Sequence, residues 1–175
     1  PDGSGGTRSY EFARALIGRG HQVTMVCGRS ERSSLNLPWD ERSGWHRGEI
    51  DGIDVIALPL AYSNRDGLAK RAWLFLRFAL RGVRIALRHD YDLLFATSTP
   101  LTAAIPGIAM KWCGRRKPFV FEVRDLWPEL PRALGMKNPL LLGGMSLLEW
   151  LAYRCAYACV GLAPGIVDGI TRRAP

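Results

Sequence analysis

Short apolar runs that alternate with longer segments of helical periodicity constrain this sequence most strongly. The runs are rich in β-branched and aromatic residues, which is typical of strands buried on both faces of a parallel sheet. The strand-like runs are 23–27, 55–58, 93–97, 119–123 and 159–163, and the helix-like segments are 9–19, 67–89, 101–113 and 141–157. Their order predicts an α/β fold with a doubly wound, mostly parallel sheet covered by helices on both faces.

Several segments need separate predictions. Asp51-Gly52 is a tight-turn signal before the strand at 55–58. Residues 28–48 lack periodicity and are predicted to form a loop. Pro106 should bend or shorten the helix at 101–113. A last helical turn is expected after Gly165. Because the sequence opens with a glycine-rich segment and then a helix, we also expect the first, central strand of the sheet to precede it.

The totals narrow the class of protein. With 175 residues and 47% apolar residues, the chain is long enough for one globular domain with a real core. The net charge of +8 suits anionic partners such as phosphates, acidic lipids or nucleic acid. No apolar run is long enough to span a bilayer. The spacing of the four cysteines is not that of a zinc site, so we expect reduced thiols, a cytoplasmic location and no bound metal.

Polar side chains follow two of the predicted strands directly. Arg124 and Asp125 come after 119–123, and Thr97 and Ser98 close the run at 93–97. Ligands of doubly wound sheets bind outside the carboxyl ends of the strands, which makes these residues candidates for an active site. The alternatives are a strand end that simply meets solvent and, for 97–99, a cap on the helix that begins near Leu101.

A glycine-rich segment, 3–6, leads into the first helix. Glycines allow a phosphate to approach the backbone, and the first amides of a helix favour an anion; a loop capped by Thr7 or Ser9 is the alternative. The sequence lacks GxxxxGK[ST], which excludes an ordinary P-loop. The spacing is not GxGxxG, and the strand at 23–27 is followed by Gly28 where a carboxylate would hold a ribose, so a nicotinamide dehydrogenase is disfavoured.

Two stretches carry a family resemblance. Gly5-Gly6, the helix and LIGRGHQVTMV (16–26) resemble the start of retaining family 4 glycosyltransferases of the GT-B architecture. FEVRDLWPE (121–129) is similar to the signature of the subgroup that includes N-acetylfucosamine transferases of bacterial polysaccharide assembly. The resemblance implies that residues 1–175 are the Rossmann-like, acceptor-side N-terminal half of such an enzyme, whose donor-binding C-terminal half is absent from this sequence. We expect this half to be inactive alone.

The resemblance also implies roles for individual residues. Gly5, Gly6 and Thr7 would lie beside the diphosphate of a nucleotide-sugar donor, a substrate that needs no cofactor. Arg124 stands where many family members have His, and Arg stays protonated, so it could hold a phosphate or orient Asp125 but not act as a base. The predicted catalytic residues are Asp125, Arg124 and Glu129, and the predicted acceptor contacts are Thr97, Ser98 and His46. Trp127 is predicted to pack as a wall.

The helix at 67–89 has a basic stripe. Basic residues and one tryptophan at helical spacing suggest a surface for anionic headgroups, whereas a core helix with a solvated stripe is the alternative. The candidate membrane contacts are Lys70, Trp73, Arg77, Arg81, Arg84 and Arg88.

The sequence therefore predicts a glycosyltransferase domain. The expected reaction moves a hexosyl or N-acetylhexosaminyl group from a nucleotide-diphosphate donor to a lipid-diphosphate-linked or saccharide acceptor in surface polysaccharide synthesis, and the expected donor is a UDP-sugar. Its expected location is the inner face of the cytoplasmic membrane, as a peripheral protein. A non-catalytic module that binds membranes or polyanions is the alternative; no motif supports nucleic acid as a partner.

Overall fold

The computed structural model describes residues 7–30, 36–62 and 66–174. The chain divides into two compact units, with the boundary in sequence between Leu74 and Phe75. The first contains helix α1 (Thr7–Ile17) and strands β1 (Thr24–Ser30), β2 (Trp39–Asp40), β3 (Trp45–Ile50) and β4 (Ile53–Tyr62). Helix α2 (Leu68–Arg88) continues across the boundary. The second adds β5 (Leu94–Thr97), α3 (Ile105–Trp112), β6 (Phe119–Val123), α4 (Glu129–Ala133), α5 (Pro139–Cys155), β7 (Ala158–Gly161) and α6 (Pro164–Arg173).

The α/β prediction is confirmed, with hydrogen-bonded strands that fall into two sheets. The first unit has the order β1-β4-β3-β2, in which only β1 and β4 are parallel among the described strands. The second unit has the parallel order β5-β6-β7. Parallel strands joined through helices therefore dominate the second unit, and an antiparallel hairpin extends the first.

The hairpin confirms one prediction and corrects another. Asp51 and Gly52 form the turn between β3 and β4, both with positive φ (51° and 80°), the backbone that a two-residue hairpin turn requires. The prediction that 28–48 is a loop was wrong, because β1 extends to Ser30, β2 lies within this range and β3 begins in it. Trp45 is buried at the start of β3, and burial alternates along that strand. Charged residues on its outward face hid this period of two in the sequence.

The second unit has its core around β6. Phe119, Phe121 and Val123 are buried in this central strand and pack with residues of the flanking helices. The helix predicted for 101–113 is divided into a 3-10 turn (Leu101–Ala104) and α3, with Pro106 in the first turn of α3. Proline needs no amide partner there, so the prediction of a shortened helix is confirmed. Helix α4 was not predicted, and α6 has ten residues where one turn was expected.

Candidate functional site

The carboxyl ends of β5 and β6 lie side by side. The two strands are parallel neighbours, with Thr97 opposite Glu122. The Ser98 amide donates a hydrogen bond to the Glu122 carbonyl at 2.9 Å, which extends the pairing one residue past β5. The segments that follow both strands therefore start from the same edge of the sheet, as the sequence predicted.

Side chains after β5 hold the start of the segment after β6. The Arg124 amide donates to the Ser98 hydroxyl at 2.9 Å, and Ser98 is fully buried. The Thr99 hydroxyl donates a longer hydrogen bond, 3.4 Å, to Oδ2 of Asp125. The 3-10 turn has Pro100 at its N-cap and no side-chain cap, so the capping alternative for 97–99 is not what the structure has. These hydroxyls orient the segment that carries Arg124 and Asp125.

Arg124 and Asp125 differ in their surroundings. The Arg124 side chain is exposed, and within the described ranges its guanidinium has no hydrogen-bond or ion-pair partner. Asp125 is half-buried, with its carboxylate held by Thr99. The sequence suggested that Arg124 either binds a phosphate or forms an ion pair that orients Asp125. The structure does not have the ion pair between Arg124 and Asp125. A guanidinium that faces solvent at this edge is suited to an anionic ligand.

A buried carboxylate holds the far end of the same segment. Glu149 lies in α5 and is fully buried. Its Oε1 accepts hydrogen bonds from the Trp127 amide and from the Tyr153 hydroxyl, each at 2.7 Å. Burial raises the pKa of Glu149, while hydrogen bonds from Trp127 and Tyr153 and the charge of Arg173 oppose this rise.

The guanidinium of Arg173 completes this arrangement from the last turn of α6. Its Nη1 donates to Oε2 of Glu149 and to the Trp127 carbonyl, and its Nη2 pairs with Glu129 at the start of α4. The peptide groups on both sides of Trp127 are therefore bound by side chains of two different helices. We call Glu149 and Arg173 the buried pair, after the buried carboxylate; the Arg173 side chain itself is half-buried.

Leu126 packs against α6 as well. A Cβ atom built on Gly169 would lie 2.5 Å from Cδ1 of Leu126, so only glycine allows this approach. Trp127 packs against the core cluster that includes β6, which confirms the prediction that this aromatic side chain packs. The segment 124–129 is thus fixed by hydrogen bonds at both ends and by apolar packing between them.

A comparison with protein-family models matches residues 3–175 to the family described as Glycosyl transferase 4-like domain. The chain belongs to this family. A comparison with curated proteins gives no match. The family assignment confirms the glycosyltransferase resemblance at the level of the family, and the edge that carries Arg124 and Asp125 is the candidate site of this glycosyltransferase domain.

Sequence reasoning missed the buried pair. A signal for Glu149 was present, because helical spacing aligns it with Leu142, Met145 and Ala152 on the inward stripe of α5. A lone acid on such a stripe requires a buried partner. Arg173 gave no comparable signal, because its helix was predicted as one turn. Glu129, predicted as a catalytic candidate, pairs with Arg173 in the structure.

Other predicted site residues of the glycosyltransferase domain have varied positions. Gly5 and Gly6 lie outside the described residues, and Thr7 is the first residue of α1. His46 lies in β3, where Nδ1 is 2.8 Å from the Leu37 carbonyl and the ring meets Trp39 edge-on. Thr97 is half-buried, with a hydroxyl oxygen that has no hydrogen-bond partner among the described residues. The roles of these residues in binding donor and acceptor stay predictions.

Helix α2 places the predicted membrane contacts on one broad exposed face. Trp73 is 57% exposed, and two leucines that were compatible with a core position, Leu76 and Leu80, are 39% and 56% exposed. At 100° per residue these three form an apolar stripe beside the basic one. In the basic stripe Lys70, Arg77, Arg84 and Arg88 are exposed and Arg81 is half-buried. Among the described helices, none is both long and apolar enough to cross a membrane.

Proposed function

We propose that the complete protein transfers a sugar, with retention at the anomeric carbon, from a nucleotide-diphosphate donor to an acceptor bound at the edge of β5 and β6. The donor is a UDP-sugar, and the acceptor is a lipid-diphosphate-linked or saccharide chain of bacterial surface polysaccharide. The transferred group is a hexosyl or N-acetylhexosaminyl residue, in line with the resemblance to the N-acetylfucosamine transferase subgroup.

One observation carries this proposal. A half-buried carboxylate, Asp125, follows an exposed guanidinium, Arg124, where two parallel strands of a glycosyltransferase domain end. Such edges are where α/β sheets bind ligands. A carboxylate accepts hydrogen bonds from sugar hydroxyls, and a guanidinium binds phosphate through paired N–H groups.

These residue types meet the needs of the reaction. The acceptor oxygen forms a bond to the anomeric carbon as the bond from that carbon to the diphosphate oxygen breaks, and the acceptor proton passes to a base or to the departing diphosphate. Positive charge grows on the sugar and negative charge on the diphosphate. Asp125 would orient the acceptor hydroxyl and stabilise positive charge, and Arg124 would hold a phosphate group. The amides that follow Gly6 would bind the donor diphosphate.

The test is an assay of the full-length protein with UDP-, GDP- and dTDP-sugars, each offered with a lipid-diphosphate extract and with free saccharides. We expect release of UDP and transfer of label to one acceptor class. A folded full-length protein that releases no nucleotide diphosphate with any of these pairs would contradict the proposal.

A second candidate function rests on α2 alone. A basic stripe beside an exposed apolar stripe is the pattern of helices that lie in the headgroup region of anionic bilayers. We propose that α2 docks the protein on such a surface, at the inner face of the cytoplasmic membrane, as a lipid-linked acceptor would require. Flotation should occur with vesicles that contain phosphatidylglycerol and not with phosphatidylcholine alone.

Matched variants separate the two stripes. We expect charge reversal at Arg77, Arg81 and Arg84 to abolish flotation, and Leu76→Ser with Leu80→Ser to weaken it at unchanged charge. Flotation that survives both changes would contradict docking through α2. Binding of the wild type to polyanionic nucleic acid with no binding to vesicles would instead favour a polyanion-binding module.

A further inference from the structure

We propose that Glu149 and Arg173 are positioning residues that hold the segment 124–129, and thereby Asp125, in the conformation used for sugar transfer. The assignment of Asp125 to the reaction rests on the proposed function. The restraint on the segment rests on contacts of the buried pair alone. The two parts therefore need separate readouts.

The buried pair restrains the backbone on both sides of Trp127. Glu149 accepts the Trp127 amide at 2.7 Å, and Arg173 donates to the Trp127 carbonyl. Because one residue comes from α5 and the other from α6, a shift of either helix moves the peptide groups around Trp127. Leu126, one residue earlier, is held against α6 at Gly169. Such contacts fix a loop far more tightly than exposed hydrogen bonds do.

The backbone transmits this restraint to Asp125. Asp125 lies between two anchors, the bond from the Arg124 amide to Ser98 and the bonds of Trp127 to the buried pair. With both anchors intact, the Asp125 carboxylate stays within reach of Thr99. Loss of the anchor at Trp127 leaves the chain after Asp125 free to move. Misplacement of a reacting group by about 1 Å can cost about 100-fold in rate.

Groups of both charges surround the Glu149 carboxylate. Glu149 faces the cation Arg173 from α6, the anion Glu129 from α4 and the hydroxyl of Tyr153 in its own helix, with Cys159 of β7 near Tyr153. Burial raises the pKa of Glu149, and Arg173 is the cation that opposes this. Without Arg173, Glu149 would be a buried anion beside Glu129, and it would bind a proton at higher pH than in the wild type.

Hydrogen exchange of the full-length protein tests the restraint without any assay of activity. In Arg173→Met we expect exchange of amides in 124–129 to rise by about tenfold or more, while exchange in β6 stays as in the wild type. Arg172→Met is the matched control, because Arg172 is the exposed neighbour on α6. Exchange within twofold of the wild type in Arg173→Met would overturn the proposal.

Kinetics and pH test the link to Asp125. We expect Arg173→Met to lower kcat by about tenfold or more with little change in KM, and Arg173→Lys, which keeps the charge, to recover part of it. The loss of kcat in Arg173→Met should be smaller at pH 5.5 than at pH 8, because protonation removes the uncompensated charge of Glu149. The double variant Glu149→Gln, Arg173→Met should not show this pH dependence.

A loss in kcat that is the same at every pH and in all three variants would overturn the link. If the wild type shows no transfer, the proposed function fails while the exchange experiment still decides the restraint. If Arg173→Met does not fold, hydrogen exchange is measured on Arg173→Lys instead. We then expect a smaller rise in the exchange of amides in 124–129, and exchange within twofold of the wild type would again overturn the proposal.

Discussion

The two units of the molecule each contain a carboxylate–guanidinium pair, and the pairs differ in burial. In the first unit, Nε and Nη2 of Arg47 donate to both oxygens of Asp54 at 2.9 Å, on neighbouring strands β3 and β4, and both side chains are accessible to solvent. In the second unit, Arg173 pairs with Glu149, whose side chain is fully buried. The Arg47–Asp54 pair has two parallel hydrogen bonds of normal length, but water can replace either partner in them.

We infer from this difference that burial, more than geometry, decides what an ion pair does. Exposed pairs contribute little to stability, because solvent screens them and competes for both partners. Water cannot solvate a buried carboxylate, so displacing the groups that bind it leaves an unpaired buried charge and costs free energy. The exposed pair joins strands that the sheet already joins. The buried pair fixes a segment with no regular structure, which is where a site residue needs help.

Glu149→Ala should give the largest effect. It leaves the buried Trp127 amide and Tyr153 hydroxyl without their acceptor and removes the carboxylate that faces the half-buried Arg173 guanidinium, so we expect the free energy of unfolding to fall by about 3–5 kcal/mol. Urea denaturation followed by circular dichroism measures this. A loss below about 1 kcal/mol would mean that the buried pair behaves like an exposed one.

Arg124→Met comes next, and its effect should be on activity alone. Because the guanidinium has no partner among the described residues, the free energy of unfolding should stay within about 0.5 kcal/mol of the wild type. Loss of a charged contact to phosphate should lower kcat/KM by about 10- to 100-fold. Arg132→Met, at an exposed position of α4, is the control. Equal kinetics of the two variants would remove Arg124 from the site.

Gly169→Ala tests the packing that supports the buried pair. The new methyl group would meet Leu126 at 2.5 Å, and we expect a loss of about 1–3 kcal/mol in stability. Gly165→Ala in the same helix meets no atom within 4 Å and should stabilise the protein by about 0.4–1 kcal/mol. Thermal unfolding of the two variants compares them directly, and changes of the same sign would contradict this account of α6.

Asp54→Ala should give the smallest effect. We expect the exposed pair to contribute about 0.2–1 kcal/mol, and the difference from the wild type should shrink further in 1 M NaCl. The effect of Glu149→Ala should persist in the same salt, because solvent does not reach the carboxylate. Salt-insensitive losses for both variants, measured by urea denaturation, would remove the contrast between the two units.

The sequence revealed more of the fold than of the site. Strand β6 was predicted with its observed bounds, because Phe119–Val123 is an unbroken β-branched and aromatic run. Strand β3 was missed, because its exposed residues Arg47 and Glu49 are charged and the half-buried residues that alternate with them include one aliphatic side chain, Ile50. Patterns in a single sequence detect strands that are buried on both faces better than strands that have one solvent-exposed face.

The positions of site residues followed from topology, and their contacts did not. The adjacency of Ser98 and Arg124 was predictable, since parallel strands end at one edge. The partners of Trp127 are 22 and 46 residues away in sequence, on helices whose rotation depends on core packing. No local pattern links Glu149 to Arg173, so the buried pair emerged only from the three-dimensional structure.

The measurement that tests the central claim most directly is the single-turnover rate of sugar transfer by Asp125→Asn in the full-length protein, at a donor concentration that saturates the wild type. The substitution keeps the shape of the side chain and removes its charge. We expect a rate about 100-fold or more below the wild type, with the free energy of unfolding within about 1 kcal/mol. A rate within twofold of the wild type would place the chemistry elsewhere and contradict the account.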